Sequence, residues 1–337
     1  MYLRLLDSID LYHSLSIRFF SIINVDKPLY RSFHVEDPER YEMPKLVLDG
    51  IFVPNVTPFT RTGQLDIKAL RTCVRFWVDG GVSGLVPCGS NGEAPYLSKQ
   101  ERIKVIQTVV DETNEKIPVV AGTGTTSTQE TIAFTKDAAD LGVDAALVVT
   151  PYYFKLSNQE IQEHYRSVSE AVDIPMVIYS VPKFTGVTLE PAFIHRLAVE
   201  NEKVIGVKDS SGNLGAITET IRLSSKRLSV LAGTADIVLP TLLAGGKGAV
   251  VAVANVFPTL CSQLYKAFKN GQYEHAAKLQ NQISFANEVL VKRFNQLSAI
   301  KEAMKSKGLP GGYPRRPALP LAGPERKILA GLLKELG

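Results

Sequence analysis

The chain has 337 residues, a formal net charge of +4, 45% apolar residues and 21% charged residues. These proportions exclude extensive disorder and low complexity. Three cysteines, Cys73, Cys88 and Cys261, are too few for a disulfide framework, which points to a reducing compartment.

Residues 1–43 differ in pattern from the rest of the chain. Apolar residues at 2, 5, 6, 9, 12, 19, 20 and 23 fall near helical spacing. Arg4 and Arg18 suggest a mitochondrial presequence, but Asp7 and Asp10 argue against one, because such peptides are poor in acids. An upstream start that adds nothing to the fold is a third reading. The compartment is therefore expected to be cytoplasmic or mitochondrial.

From Leu48 a unit repeats: a short apolar run ends in small or polar residues, and a helical stretch comes next. The runs are 50–59, 84–89, 117–124, 145–153, 175–182, 204–211, 228–234 and 248–257. They are continuously apolar rather than alternating, the pattern of strands buried on both faces of a parallel sheet. Helical stretches lie between them, such as 66–79, 98–115, 127–141 and 158–172, and Ser98 with Glu101 makes a capping-box start for the second. Eight such units in about 220 residues predict an α/β protein of the (β/α)8 barrel kind. A doubly wound sheet would carry a glycine-rich loop after strand one, where this chain has Thr57-Pro58-Phe59.

Residues 271–307 read as helix, 308–323 as a Pro- and Gly-rich connection and 324–336 as a last short helix. The expected division is an extension at 1–43, the barrel at 44–270 and a C-terminal helical subdomain at 271–337. The longest uncharged run, Gly248 to Tyr265, contains Asn255, Thr259, Ser262 and Gln263 and is too polar for a membrane span. From Lys292 onward ten Lys/Arg stand against three Asp/Glu. No aromatic residues interleave with them as single-strand binders require, so the stretch reads as a solvated helical face and no nucleic-acid partner is expected.

Active residues of such barrels sit at the C-terminal ends of strands. Lys208 ends Val-Ile-Gly-Val-Lys. A lysine is costly to bury charged, and its neutral amine attacks carbonyls to form a Schiff base; the plainer alternative is a lysine that snorkels to solvent. Tyr179, in Val-Ile-Tyr-Ser-Val-Pro, is either a proton shuttle or a core tyrosine with a satisfied hydroxyl. Gly89-Ser90-Asn91-Gly92-Glu93 is either a backbone cradle for a carboxylate, with Ser90 as a relay, or an ordinary turn. Tyr152 and Tyr153 close strand four after Thr150-Pro151, and Gly122 to Thr126 reads as a turn and helix cap. The five histidines share no ligand spacing with cysteines or acids, so neither a metal nor another cofactor is expected.

GSNGE, TPYY, YSVP and GVKDSSG in this order resemble the dihydrodipicolinate synthase and N-acetylneuraminate lyase family of class I aldolases, over about residues 46–330. The resemblance implies a barrel with a C-terminal helical subdomain, usually tetrameric. It implies a Schiff base between Lys208 and pyruvate, with Tyr179 as the proton-transfer residue. Ser90 and Asn91 would hold the pyruvate carboxylate, and Tyr153 would complete the proton relay in a neighbouring subunit. Ser210, Gly233 and Val250 are expected to contact the substrate.

Dihydrodipicolinate synthases carry an arginine two residues after the YxVP proline, which binds a carboxylate of the second substrate. Here Lys183 and Phe184 follow Pro182. Phe184 cannot pair with a carboxylate, and Lys183 is expected to point elsewhere, so these two positions set specificity. Other features, such as YSVP, Leu231-Ala232-Gly233 and Arg293-Phe294 followed by Gly311-Gly312, resemble 4-hydroxy-2-oxoglutarate aldolase. The leading expectation is retro-aldol cleavage of that acid to pyruvate and glyoxylate. The alternatives are synthase-type condensation, cleavage of 2-keto-3-deoxy sugar acids and, more distantly, a non-catalytic keto-acid-binding barrel.

Overall fold

The computed structural model describes residues 46–336, so the expectations for residues 1–43 lie outside the described residues. In chain order, β1 (Gly50–Val53) leads to α1 (Ile67–Asp79), β2 (Gly84–Leu85) to α2 (Lys99–Thr113), and β3 (Val120–Gly122) to α3 (Thr128–Asp140). Next, β4 (Ala145–Val149) leads to α4 (Asn158–Ala171), and β5 (Met176–Ser180) to the one-turn α5 (Pro182–Thr185) and then α6 (Pro191–Glu200). Finally, β6 (Val204–Asp209) leads to α7 (Leu214–Ser224), β7 (Ser229–Ala232) to α8 (Val238–Leu243), and β8 (Gly248–Val250) to α9 (Pro258–Lys269).

Among the described residues the eight strands form one parallel sheet in the order β2-β1-β8-β7-β6-β5-β4-β3. The remaining seam, between β2 and β3, is spanned by a parallel bridge at Leu85 and Val119 and by hydrogen bonds from Leu85 N to Pro118 O (3.0 Å) and from Gly122 N to Pro87 O (2.8 Å). A (β/α)8 barrel results. The strands are shorter than the apolar runs because the runs continue into the rim: Pro54 and Pro87 have no N–H to extend the ladder.

Local sequence starts the helices where expected. The Asp66 carboxylate accepts from Ala69 N (2.9 Å) ahead of α1. Ser98 and Ser157 form capping boxes with Glu101 and Glu160 ahead of α2 and α4, each contributing about 1 kcal/mol. Two apolar layers arise from the strands' two-sided burial. Phe52, Val86, Val120, Leu147, Val177, Tyr179, Ile205 and Val250 fill the barrel interior. The opposite faces join helix residues such as Trp77, Tyr165 and Phe193 in the outer layer.

The stretch expected as one helix from 271 to 307 is interrupted. It forms α10 (Tyr273–Asn287), a π-turn at Glu288–Lys292 and α11 (Gln296–Ser306). Asn295 caps α11 by accepting from Ser298 N (3.2 Å). A last helix, α12 (Gly323–Lys334), completes the described chain. The basic stretch is not the uniformly solvated face expected, since Lys301 is fully buried. The described residues form one compact unit, so α10 to α12 pack as a continuation of the barrel. No helix among them is long and apolar enough to cross a membrane.

His164 on α4 gives the fold a pH dependence. It is buried, its Nδ1 pairs with Thr128 Oγ1 (2.9 Å), and its Nε2 has no partner among the described residues. Burial lowers its pKa from 6.5 to about 4. Between those values the unfolded chain binds the proton and the folded one does not, so stability is present above the unfolded value and is lost as pH falls. Urea unfolding is expected to show a loss of about 2 kcal/mol from this group between pH 7 and pH 5. His164→Gln should remove that component; an unchanged pH dependence in the variant would exclude His164 as its source.

Candidate active site

Strand pairing places Lys208. In the β5–β6 ladder Met176 faces Val204 but Val177 faces Gly206, so the register shifts by one residue at Ile205. Strict alternation from the inward-facing Ile205 would have sent Lys208 outward. The shift reverses the parity and sets Lys208 directly opposite Tyr179, a re-aiming typical of bulges beside active sites. Lys208 is 3% exposed, and its Nζ lies 4.0 Å from the centroid of the Tyr179 ring.

The loop after β2 supplies the next group. Cys88 and Glu93 take left-handed backbone conformations (φ 56° and 58°), which fold the loop tightly over the barrel mouth. Gly122 lets β3 approach this loop, since a Cβ there would meet Cys88 O at 2.1 Å. Ser90 Oγ consequently lies 3.3 Å from Tyr179 Oη. Burial alone would raise the Tyr179 phenol. The Lys208 charge, together with hydrogen bonds involving Ser90, Ser210 and Lys208, outweighs it and holds the phenol below its ordinary value. That makes the phenol a readier proton donor than an ordinary tyrosine. Burial pushes the Cys88 thiol up to about 12, so it is no nucleophile at neutral pH.

A cavity of about 530 Å³ opens at this end of the barrel, within the range of small-molecule sites. Tyr179, Ser90, Lys183 and Phe184 line it. Gly122 and Gly124, read from sequence as a turn, line it too, as do Arg102 and Tyr152. A second hollow of about 450 Å³ lies on the outer wall between α4 and α6 and shares none of these residues.

Lys183 does not point elsewhere. Its Nζ donates to Gln296 Oε1 (3.2 Å), and Gln296 Nε2 donates to Asn91 Oδ1 (2.6 Å). One turn of helix after Pro182 swings the side chain over the cavity, with Nζ 4.7 Å from the Phe184 ring centroid. Gln296, Asn295, Leu297 and Val291 also line the cavity, so the C-terminal helices form one of its walls. Sequence reading missed these residues; the available signal was Asn295, a helix-capping residue inside what reads as continuous helix.

Lys208 and Asn91 are not themselves in the cavity lining, although their neighbours Tyr179 and Ser90 are, and other expected residues stand apart from it as well. Ser210 Oγ donates to Gly233 O (3.2 Å), and a Cβ on Gly233 would collide with Ser210 Oγ. Val250 is buried in the interior layer. Tyr153 is 79% exposed, packed edge-on against the similarly exposed Phe154. Among the described residues no group of three or more His, Cys, Asp or Glu side chains gathers as a metal site would require.

The sequence pattern of the Dihydrodipicolinate synthetase family matches residues 47–336. The chain is 37% identical over 289 residues to a 4-hydroxy-tetrahydrodipicolinate synthase of Citrifermentans bemidjiense, covering 86% of this chain and 99% of that protein. It is 38% identical over 288 residues to the enzyme of that name from Methanothrix thermoacetophila, covering 85% and 96%. Among solved structures it is similar to YagE, a prophage protein of the dihydrodipicolinic acid synthase family from E. coli K12 in complex with pyruvate. That similarity has a TM-score of 0.84 and 31% identity, over 86% of this chain and 99% of the other. Dihydrodipicolinate synthase from Thermotoga maritima gives 0.82 and 31%, over 86% and 99%.

Proposed function

Because the chain belongs to the dihydrodipicolinate synthetase family, we propose that it is a pyruvate-dependent carbon–carbon lyase or synthase working through a Schiff base on Lys208. The observation that carries this reading is the side-by-side placement of Lys208 and Tyr179 at the barrel mouth, with Ser90 on the phenol. The Lys208 amine attacks C2 of pyruvate. Tyr179 and Ser90 move the protons that let the carbinolamine lose water, leaving an iminium. Loss of a C3 proton gives an enamine, whose C3 attacks an aldehyde carbon; the reverse sequence cleaves the same bond. Hydrolysis returns the amine.

The shared name of the relatives favours condensation, with aspartate semialdehyde as the aldehyde, over the cleavage expected from sequence. The second reading, cleavage of 4-hydroxy-2-oxoglutarate, is supported by Phe184 at the position where the resemblance implies arginine. The exposed Tyr153 and Phe154 support assembly with a second copy that would cover them, and sedimentation at micromolar concentration reads that directly.

Borohydride reduction with pyruvate, followed by peptide mass analysis, should place one adduct on Lys208. No adduct there would remove both readings. Pyruvate consumption with aspartate semialdehyde should then exceed pyruvate release from 4-hydroxy-2-oxoglutarate; the opposite order selects the second reading.

A further inference from the structure

We infer, on the Schiff-base reading above, that Lys183, set in place by Gln296 and Asn91, is the group that reads the distal carboxylate of the substrate's carbon skeleton. Three charged side chains line the cavity: Lys183, Arg102 and Glu93. Glu93 is already committed, ion-paired with Lys301. Arg102, 6% exposed, donates Nη2 to Ala94 O (2.8 Å) with the guanidinium over the Phe134 ring, while its Nε and Nη1 have no hydrogen-bond partner among the described residues, so it is the rival cation that a Lys183 variant must separate from Lys183. Lys183 has no carboxylate partner among the described residues; its contacts are the Gln296 carbonyl and the Phe184 ring. A cation lining a small-molecule cavity with only neutral partners is a ready anion site.

Hydrogen-bond polarity sharpens the assignment. An ammonium can only donate, so Gln296 must turn its carbonyl to Lys183. Its amide NH2 must then find an acceptor, and Asn91 Oδ1 is that acceptor at 2.6 Å. The Gln296–Asn91 bond thus fixes which end of the Gln296 amide faces Lys183 and leaves the ammonium as the donor at the cavity. Burial disfavours the Lys183 ammonium, and the Lys208 charge adds to that while Tyr179 opposes it. A bound carboxylate would supply the missing counter-charge.

The test compares two five-carbon 2-oxo acids, 2-oxoglutarate with a distal carboxylate and 2-oxopentanoate without one. The readout is the half-saturating concentration for borohydride trapping on Lys208. A carboxylate on a partly desolvated ammonium should favour 2-oxoglutarate by about 10- to 100-fold in the parent protein. Lys183→Met should bring the ratio of the two values close to one, and Lys183→Arg should restore part of it. Gln296→Leu, which leaves the charge but frees its position, should reduce the ratio partially. A parent without the preference, or a Lys183→Met variant that keeps it, overturns the assignment while leaving the Schiff base intact. A parent that traps neither acid overturns the Schiff-base reading itself.

Discussion

Lys208→Ala is expected to abolish both the pyruvate adduct and turnover, whereas Tyr179→Phe should keep the adduct and slow turnover by about 10²- to 10⁴-fold, the usual contribution of a positioned acid–base group. The difference follows from geometry. The amine is placed by the β5–β6 register shift, which belongs to the backbone and survives either substitution. Phenylalanine preserves the ring packed beside Lys208 Nζ and removes only the hydroxyl that meets Ser90 at 3.3 Å. Proton transfers then fall to water, which lacks a phenol held below its ordinary value by the Lys208 charge and its hydrogen bonds. Intact-protein mass after reduction reads the adduct, and steady-state assay reads turnover. A Tyr179→Phe enzyme at parental rate would assign the proton transfers to another group. Loss of the adduct in that variant would instead make the tyrosine essential to forming the Schiff base.

Much of this site is legible in sequence because it lies at strand ends, and strand ends announce themselves. Eight continuously apolar runs require a parallel sheet with both faces covered, and that arrangement puts Lys208, Tyr179 and the Ser90 loop at one rim. Three features stay hidden, each for a physical reason. The inward aim of Lys208 depends on a one-residue pairing shift, a relation between two strands that neither strand's own pattern contains. The swing of Lys183 over the cavity depends on a single helical turn, too short to leave a periodic signal. The wall formed by Gln296 and its neighbours depends on a π-turn and a new helix start inside an apparently continuous helix, where amphipathic periodicity alone reads straight through. The identity of the aldehyde is the least legible feature. The proposed reading rests it on Lys183 and Phe184, adjacent residues of which one faces a glutamine across the cavity and the other is half exposed.

Lys301→Met is expected to destabilise the fold by about 3–5 kcal/mol, because it strands a buried carboxylate. Lys301 and Glu93 are ion-paired with both side chains fully buried. The ammonium also donates to Thr57 O (2.7 Å) and Tyr313 O (2.8 Å), so its three N–H bonds are all used. Burial pulls the ammonium below its ordinary value, and the Glu93 charge opposes that pull. The second Glu93 oxygen accepts from Arg315 N (2.8 Å), and the Arg315 guanidinium forks onto Glu101 at 2.7 Å twice. That fork holds the Glu101 carboxyl down to about 2. Glu93 closes the loop that carries Ser90 and Asn91, and Lys301 lies on α11, whose first residue Gln296 holds Asn91. One helix is therefore pinned to this loop at two points. Losing the buried pin should loosen the other, so the surviving folded fraction is expected to show weaker substrate binding as well as lower stability. Pairing Lys301→Met with Glu93→Gln should recover much of the lost stability, because a neutral amide costs less to bury than an unpaired charge and still accepts from Arg315 N. Urea midpoints of the single and double variants decide it. If the double variant is no more stable than Lys301→Met alone, the cost lies in the lost hydrogen bonds to Thr57 and Tyr313 rather than in the stranded charge.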